Sequence, residues 1–287
     1  MYAVTGAGGK FGRLAIDALL ARGVPAREIV AVVRTPGKIT DLADRGVVVR
    51  TGDYDTPDSW PSALAGIETL LLVSGDALGR RVRQHTTVID AAKAAGVRRI
   101  AYTSILKADT STIALAPEHL ATEQVLRRSG LAYTFLRNSW YFENYLDQAD
   151  RYIAQGALVS AAGSAGFAAA TRADFAAAAA AVLVEDGHDN VVHELGGEKI
   201  TFADLAAAIS RASGAEVSYR AVSPDELRAI LRDADVPEGY AELLIDADRA
   251  VVAGELDTDS QELARLVGHP LTTLTDAATA TLRPSGS

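Results

Sequence analysis

The segment Thr5-Gly6-Ala7-Gly8-Gly9-Lys10-Phe11-Gly12 lies between the apolar run Tyr2 to Thr5 and a helix-like stretch starting at Phe11, and it constrains the fold more than any other feature of this chain. At Gly6 the backbone has to turn sharply. Near Gly9 it can approach a pyrophosphate with no Cβ in the way, and at Gly12 a helix can pack closely on a strand. The helix that follows presents unpaired N–H groups and the positive end of its dipole, a ready site for phosphate. The spacing Gly6-x-x-Gly9-x-x-Gly12 departs from the usual G-x-G-x-x-G form, although Gly8 permits that reading as well. The competing reading is an ordinary tight turn; the position between a first strand and a first helix favours a dinucleotide loop.

The first half of the chain keeps the rhythm that such a loop implies. Apolar, β-branched runs at Tyr2 to Thr5, Ile29 to Val33, Val47 to Arg50, Thr69 to Val73, Ile100 to Thr103 and Tyr133 to Leu136 predict six strands buried on both faces. Helices are predicted between them at Phe11 to Arg22, Ile39 to Arg45, Arg80 to Ala95 and Glu118 to Ser129. Alternation of this kind means an α/β protein with a doubly wound parallel sheet. After Asn138 the rhythm weakens into an aromatic cluster, a small-residue stretch Ala161 to Ala170 and an alanine-rich helix. Further on, helices are predicted at Thr201 to Ser213 with Thr201 as N-cap, Glu226 to Ala234, Tyr240 to Asp246 and Gln261 to Leu266, with a strand at Val217 to Ala221. We therefore divide the chain into a dinucleotide domain over 1–138, to whose sheet later segments could return, and a smaller α/β lobe over 139–287. The tail Pro284 to Ser287 reads as disordered.

The second strand ends in Arg34, where a site for NAD carries an acid that binds the ribose hydroxyls. A guanidinium there forms a bidentate fork to a 2′-phosphate, so the cofactor expected is NADP(H). Asp53, after the third strand, is placed either to accept from the adenine amino group or to cap a helix. Composition narrows the partners. A formal charge of −9 disfavours nucleic acid and anionic membranes, and the absence of cysteine removes disulfides, thiolate nucleophiles and cysteine zinc sites. His85, His119, His188, His193 and His269 show no metal-ligand spacing, so no metal is expected. With no membrane-length apolar run and no signal-peptide pattern, we expect a cytoplasmic protein.

These residues, together with Ala31-Val32-Val33-Arg34, Ala91-Ala92-Lys93-Ala94-Ala95-Gly96-Val97, Ala101-Tyr102-Thr103-Ser104, Leu136-Arg137-Asn138-Ser139-Trp140-Tyr141-Phe142-Glu143-Asn144, Ala170-Thr171-Arg172-Ala173-Asp174 and Gly268-His269-Pro270, resemble the NmrA-like, atypical branch of the short-chain dehydrogenase/reductases. The resemblance spans nearly the whole chain. It implies a Rossmann-type domain binding NADPH, a smaller C-terminal lobe, and a quinone substrate in the cleft between them. It also implies cofactor contacts from Gly6, Ala7, Gly8, Gly9, Lys10 and Phe11, from Arg34, from Val73, Ser74 and Gly75, and from Asn138, Ser139, Trp140, Tyr141 and Phe142, with Arg172 nearby. Ser74-Gly75-Asp76 departs from the run of serines that the family pattern carries there. The oligomeric state is left open, with a homodimer as one option.

Many members of that superfamily protonate an alkoxide with a Tyr-x-x-x-Lys pair, and none occurs in the expected region. The helix there carries His119 and Glu123 one turn apart instead. Reducing a ketone makes a strongly basic alkoxide, whereas reducing a quinone makes a resonance-stabilised anion that water can protonate, so the missing pair favours a quinone. The candidate catalytic residues are Asn138, Tyr141 and His119, the last either as proton donor or as a structural group. A second reading is a protein that senses NADP(H) redox state without turnover.

Overall fold

The computed structural model describes residues 1–282; the tail Pro284 to Ser287 lies outside them. Seven strands form one parallel sheet: β1 (Tyr2–Val4), β2 (Ile29–Val33), β3 (Val48–Thr51), β4 (Thr69–Leu72), β5 (Arg99–Ile105), β6 (Ala132–Asn138) and, from the second half of the chain, a strand at Val191–Leu195. Their order, Val191–Leu195, β6, β5, β4, β1, β2, β3, reverses direction between β1 and β4. That reversal opens a crevice at the carboxyl ends of the strands, which is where ligands bind in doubly wound sheets.

All six strands predicted from the pattern are present, and two are longer than the apolar runs suggest. Residues β5 Ile105 and β6 Asn138 pair with each other, and Asn138 also pairs with Leu195, so neighbouring strands on both sides carry β6 past its apolar stretch. Of the four residues added at the carboxyl ends, Ser104, Arg137 and Asn138 are polar. They project the functional end of the sheet beyond its core.

The Rossmann layer is completed by the helix Arg172–Val184, capped by Thr171, whose side chain accepts from the Asp174 N–H. Its alanines Ala176 and Ala178 to Ala181 are buried, in one core with Ile16 and Leu19 of the helix Lys10–Ala21 and with Leu263 and Leu266. Small side chains let two helices and a sheet approach closely there. The smaller lobe is built on two short sheets. One joins Trp140–Tyr141, Gly166–Ala170 and Glu198–Thr201; the other pairs Ala157–Ser160 with Ser218–Ala221. Hence the small-residue stretch after Ala161 contains a buried strand. A Cβ on Gly197 would sit 2.2 Å from the Ala169 carbonyl, so close packing of backbones accounts for the small residues at Ala169 and Ala170. The helix Phe202–Ser213 starts with the Thr201–Asp204 capping box.

Candidate dinucleotide and acceptor cleft

Each glycine of the first loop has a distinct physical task. Gly6 has φ of +59°, a conformation that costs an L-residue energy. A Cβ at Gly12 would lie 2.5 Å from the Gly6 carbonyl oxygen and 2.8 Å from the Ala7 Cα, so the helix can leave the loop only without one. The helix Lys10–Ala21 has Gly9 as N-cap, with no side-chain cap and no acid in its first turn. Its leading N–H groups thus await an anion, and the loop residues fit a pyrophosphate. Ala7 and Phe11 are themselves buried, so they offer the loop backbone rather than side chains to a ligand.

Behind the loop, the Tyr54 hydroxyl donates to the Val73 carbonyl at 2.8 Å and lies 2.7 Å from Thr5 Oγ1, which in turn accepts from the Val73 N–H at 2.9 Å. Burial raises the Tyr54 pKa, so the phenol remains a neutral brace between the glycine loop and the end of β4. Tyr54 was not singled out by sequence, since a tyrosine after a turn carries no signal of its own. At the next strand ends, Arg34 and Lys38 are exposed, and neither side chain has a hydrogen bond or ion pair among the described residues. Asp53 Oδ1 accepts from the Asp55 N–H at 3.1 Å, which ties a turn and leaves the other oxygen for a ligand.

Predicted residues from separate segments of the chain meet in a cleft of about 270 Å³, lined among others by Ser74, Gly75, Ser104, His119, Asn138, Ser139, Trp140 and Tyr141. Asn138 Nδ2 donates to the Tyr141 hydroxyl at 3.2 Å, while Asn138 Oδ1 and Ser139 Oγ are buried with no partner. Buried acceptors without donors are costly, so these two atoms mark a place for a polar ligand. The Tyr141 ring lies against Phe11, at 6.2 Å between centroids, and under the Arg172 guanidinium at 5.4 Å; burial pushes its hydroxyl pKa up to about 12. Phe142 stands apart from its neighbours. It is fully buried in the core of the smaller lobe and does not line the cleft, because alternation along the chain turns it inward while Tyr141 faces the Rossmann domain. Lys10 and Arg172 both bind Asp147, at 2.7 and 3.0 Å. Burial opposes ionisation of Asp147, yet these hydrogen bonds outweigh it and hold its carboxyl below the usual range.

His119 is 6% exposed, and its Nδ1 lies 2.8 Å from the Tyr102 hydroxyl. Burial, reinforced by Arg81 and His85, lowers its pKa to about 3. It is therefore a neutral ring at physiological pH, and with Tyr102 donating to Nδ1 its remaining Nε2–H is a weak donor rather than a strong acid. His85 is also held at about 3, by burial and by Arg81, and its Nε2 accepts from the Gly75 N–H at 3.1 Å. The unfolded chain binds protons on both rings below about 6.5, while the folded chain does not until about pH 3. Stability should thus fall as pH drops through that window, and the urea midpoint at pH 5 should lie below that at pH 7. An equal midpoint at both would contradict the buried neutral rings.

Beneath the cleft, Ser104 Oγ donates to Glu123 Oε1 at 2.7 Å, and Arg137 grips the same carboxylate with Nε at 2.9 Å and Nη2 at 2.8 Å. Arg137 also binds Glu194 and Asp109. Glu123 and Arg137 were visible in sequence only as a helix acid and a strand-end arginine; nothing in their spacing shows that they meet. No group of three or more His, Asp or Glu side chains able to hold a metal occurs among the described residues. Among the described residues no helix is long and apolar enough to cross a membrane.

A phosphate loop at the switch point of a parallel sheet, beside polar strand ends, defines a nicotinamide-dinucleotide protein, and the chain belongs to the NAD(P)H-binding family, whose model matches residues 6–186. It is 47% identical over 278 residues to quinone oxidoreductase 2 of Escherichia coli (strain K12), an alignment covering 96% of this chain and 97% of that protein. The structure of NADPH-dependent quinone oxidoreductase from Escherichia coli complexed with NADPH matches with a TM-score of 0.93 at 47% identity, covering 98% of this chain and 99% of that one. Triphenylmethane reductase of Citrobacter sp., complexed with NADP(H), matches with a TM-score of 0.92 at 40% identity, covering 98% and 100%. The NmrA-like resemblance read from the motifs and the Rossmann-type architecture are both borne out.

Proposed function

We propose that this protein is a cytoplasmic NADPH-dependent quinone oxidoreductase in which hydride passes directly to a quinone bound in the 270 Å³ cleft, with neither metal nor flavin. The observation that carries this reading is the convergence of unpartnered Asn138 Oδ1 and Ser139 Oγ with Ser74 and Gly75 at the switch point, next to an uncapped helix N-terminus. The likeness to the Escherichia coli quinone oxidoreductase supports it. When bound, NADPH supplies the hydride. Asn138 and Ser139 then orient polar groups in the cleft, and Tyr141, fixed by Asn138, forms a flat wall. Neutral His119 offers an Nε2–H to an acceptor oxygen, and water completes protonation of the hydroquinone anion, which needs no strong acid.

The test is the oxidation of NADPH, followed by absorbance, with a panel of benzoquinones and naphthoquinones against simple ketones and alcohols. Turnover is expected with quinones alone and should be unaffected by chelators. NADPH binding without oxidation by any quinone would overturn the enzyme reading and favour the redox sensor. Asn138→Ala is expected to lower turnover roughly 10²-fold through misplacement of the reacting groups, whereas His119→Ala should change it little. The reverse order would make His119 the acid.

Arg34 sets the cofactor preference in this reading. Loss of a charged hydrogen bond costs roughly 1.5 to 3 kcal/mol, so Arg34→Ala should weaken NADPH binding about ten-fold to a hundred-fold and leave NADH nearly unchanged. An equal loss for both cofactors in a binding titration would show that Arg34 does not meet the 2′-phosphate.

A further inference from the structure

Hydride transfer to a quinone leaves a negative charge in the cleft, and one positive group lies there to meet it. Arg81, in the first turn of the helix Arg81–Ala94, lines the cleft together with Gly75 and His119. It is 5% exposed, and no other Lys or Arg among the described residues lines that space. Its Nε donates to the Gly75 carbonyl at 2.7 Å, while His85 Nε2 accepts the N–H of the same glycine. The guanidinium is thus pinned to the loop that follows β4. Its Nη1 is buried and has no hydrogen-bond partner in the protein.

Among the described residues Arg81 has one ion-pair partner, Glu118, whose Oε2 lies 3.5 Å from Nη1. Glu118 uses its other oxygen to accept from the Gly79 N–H at 2.8 Å, and Oε2 is itself buried without a hydrogen bond. The two charges attract at that separation without bonding, so an N–H of Arg81 remains to be satisfied. A buried donor without an acceptor is costly, and a guanidinium bonds most strongly to an oxygen anion. The acid that lines the cleft, Asp76, is exposed. His85 and His119 are neutral, and the charge of Arg81 helps to keep them so. Neither ring is a strong acid, so an anion formed in the cleft has to persist until water protonates it.

We propose that Arg81 stabilises the oxygen anion of the reduced acceptor, with Nη1 donating to the carbonyl oxygen on which the negative charge collects. The catalytic role rests on the quinone oxidoreductase reading; the preference of the cleft for an oxygen anion does not. In the step itself the quinone gains a hydrogen and two electrons from reduced nicotinamide, which becomes NADP+, and the charge settles on a quinone oxygen. A proton from water then completes the hydroquinone. A neutral quinone gains little from a nearby cation, whereas the anion gains a charge-assisted hydrogen bond where water competes poorly. Loss of Arg81 should therefore lower kcat much more than it raises KM for the quinone.

The experiment follows the ionisation of 4-nitrophenol, whose anion absorbs visible light and resembles a hydroquinone anion, bound to the full-length protein with saturating NADP+. Titrating the absorbance against pH gives the pKa of the bound phenol. The wild type should lower it from its value in water. Arg81→Met should raise it again by about one to two pH units, the ten-fold to hundred-fold loss expected for a charged hydrogen bond. Arg81→Lys keeps the charge and should recover part of the shift. A role confined to bracing Gly75 would weaken phenol and phenolate alike and leave that pKa where it was. Glu118→Gln removes the counter-charge while keeping an acceptor for the Gly79 N–H, so it should favour the bound phenolate a further two- to five-fold or about that, a gain that damage to the site would not produce. If Arg81→Met does not fold, Glu118→Gln decides the matter. An unshifted phenol in the wild type, an equal pKa in Arg81→Met, or an unchanged or raised one in Glu118→Gln would overturn the proposal. A protein that lowers the phenol pKa through Arg81 yet reduces no quinone would remove the enzyme reading alone and leave the anion site in place.

Discussion

Replacing Gly12 by valine is expected to abolish NADPH binding and to destabilise the protein. Even the first atom of a side chain would stand 2.5 Å from the Gly6 carbonyl and 2.8 Å from the Ala7 Cα, and both are backbone atoms that cannot swing aside. The helix Lys10–Ala21 would have to move away from β1, and its other face is locked against the alanines of Arg172–Val184. Overpacking a tight site costs typically 1 to 3 kcal/mol and occasionally more, and backbone-against-backbone contact places this site at or beyond the upper end of that range. The displaced helix would also carry its N–H groups off the position the pyrophosphate needs. Gly8→Ala is the matched control. Its Cβ would meet only Val33 Cγ1 at 3.7 Å and Ile39 Cγ2 at 3.8 Å, ordinary contact distances, so the fold should be kept. Fluorescence titration with NADPH and a urea melt of both variants give the answer. Native binding by Gly12→Val would mean that the loop does not hold the phosphates as described.

Much of this arrangement was legible in the residues before any coordinates. Strands buried on both faces are continuous apolar runs, and the six that hold the Rossmann sheet announced themselves that way; so did the glycines, because backbone geometry at Gly6 and Gly12 admits nothing else. The smaller lobe was harder to read. Its strand Gly166–Ala170 carries one aromatic, Phe167, and otherwise only alanine and glycine, because Ala169 and Ala170 pack against Gly197, and a strand without β-branched residues has little signature. The seventh strand, Val191–Leu195, carries His193 and Glu194 in its span and so lacks an unbroken apolar run. Within the cleft, Asn138, Ser139 and Tyr141 were found through the resemblance, and the structure gathers them. Phe142 was carried along by adjacency and belongs to the core. His119 lines the cleft, but its neutrality follows from its burial, with Arg81 and His85, both distant in sequence, adding to it. Contacts between segments far apart in the chain leave no local pattern, and that is where Tyr54, Arg81 and Glu123 were missed.

Glu123→Ala should be the most damaging single change to stability outside the glycine loop. Glu123 is 1% exposed and takes three hydrogen bonds, two from Arg137 and one from Ser104. Removing one member of a buried pair costs about 3 to 5 kcal/mol, chiefly because the partner's charge is left without compensation in a medium that solvates it poorly. Arg137 keeps Glu194, partly exposed, and Asp109, exposed, which makes them weaker partners than Glu123, so the lower part of that range is expected. Ser104 loses its acceptor at the same time. Because Ser104 lies at the end of β5 and Arg137 immediately precedes Asn138 in β6, the damage should spread to the strand ends that line the cleft. Turnover at a temperature where the variant is still folded should therefore fall as well. A double variant, Glu123→Leu with Arg137→Met, separates the causes. If the single change hurts through an orphaned charge, the apolar pair should recover much of the urea midpoint, whereas a loss caused by poor packing should persist or deepen. A single variant with a wild-type midpoint would show that Glu194 and Asp109 alone satisfy Arg137, and that Glu123 serves the cleft only by accepting from Ser104.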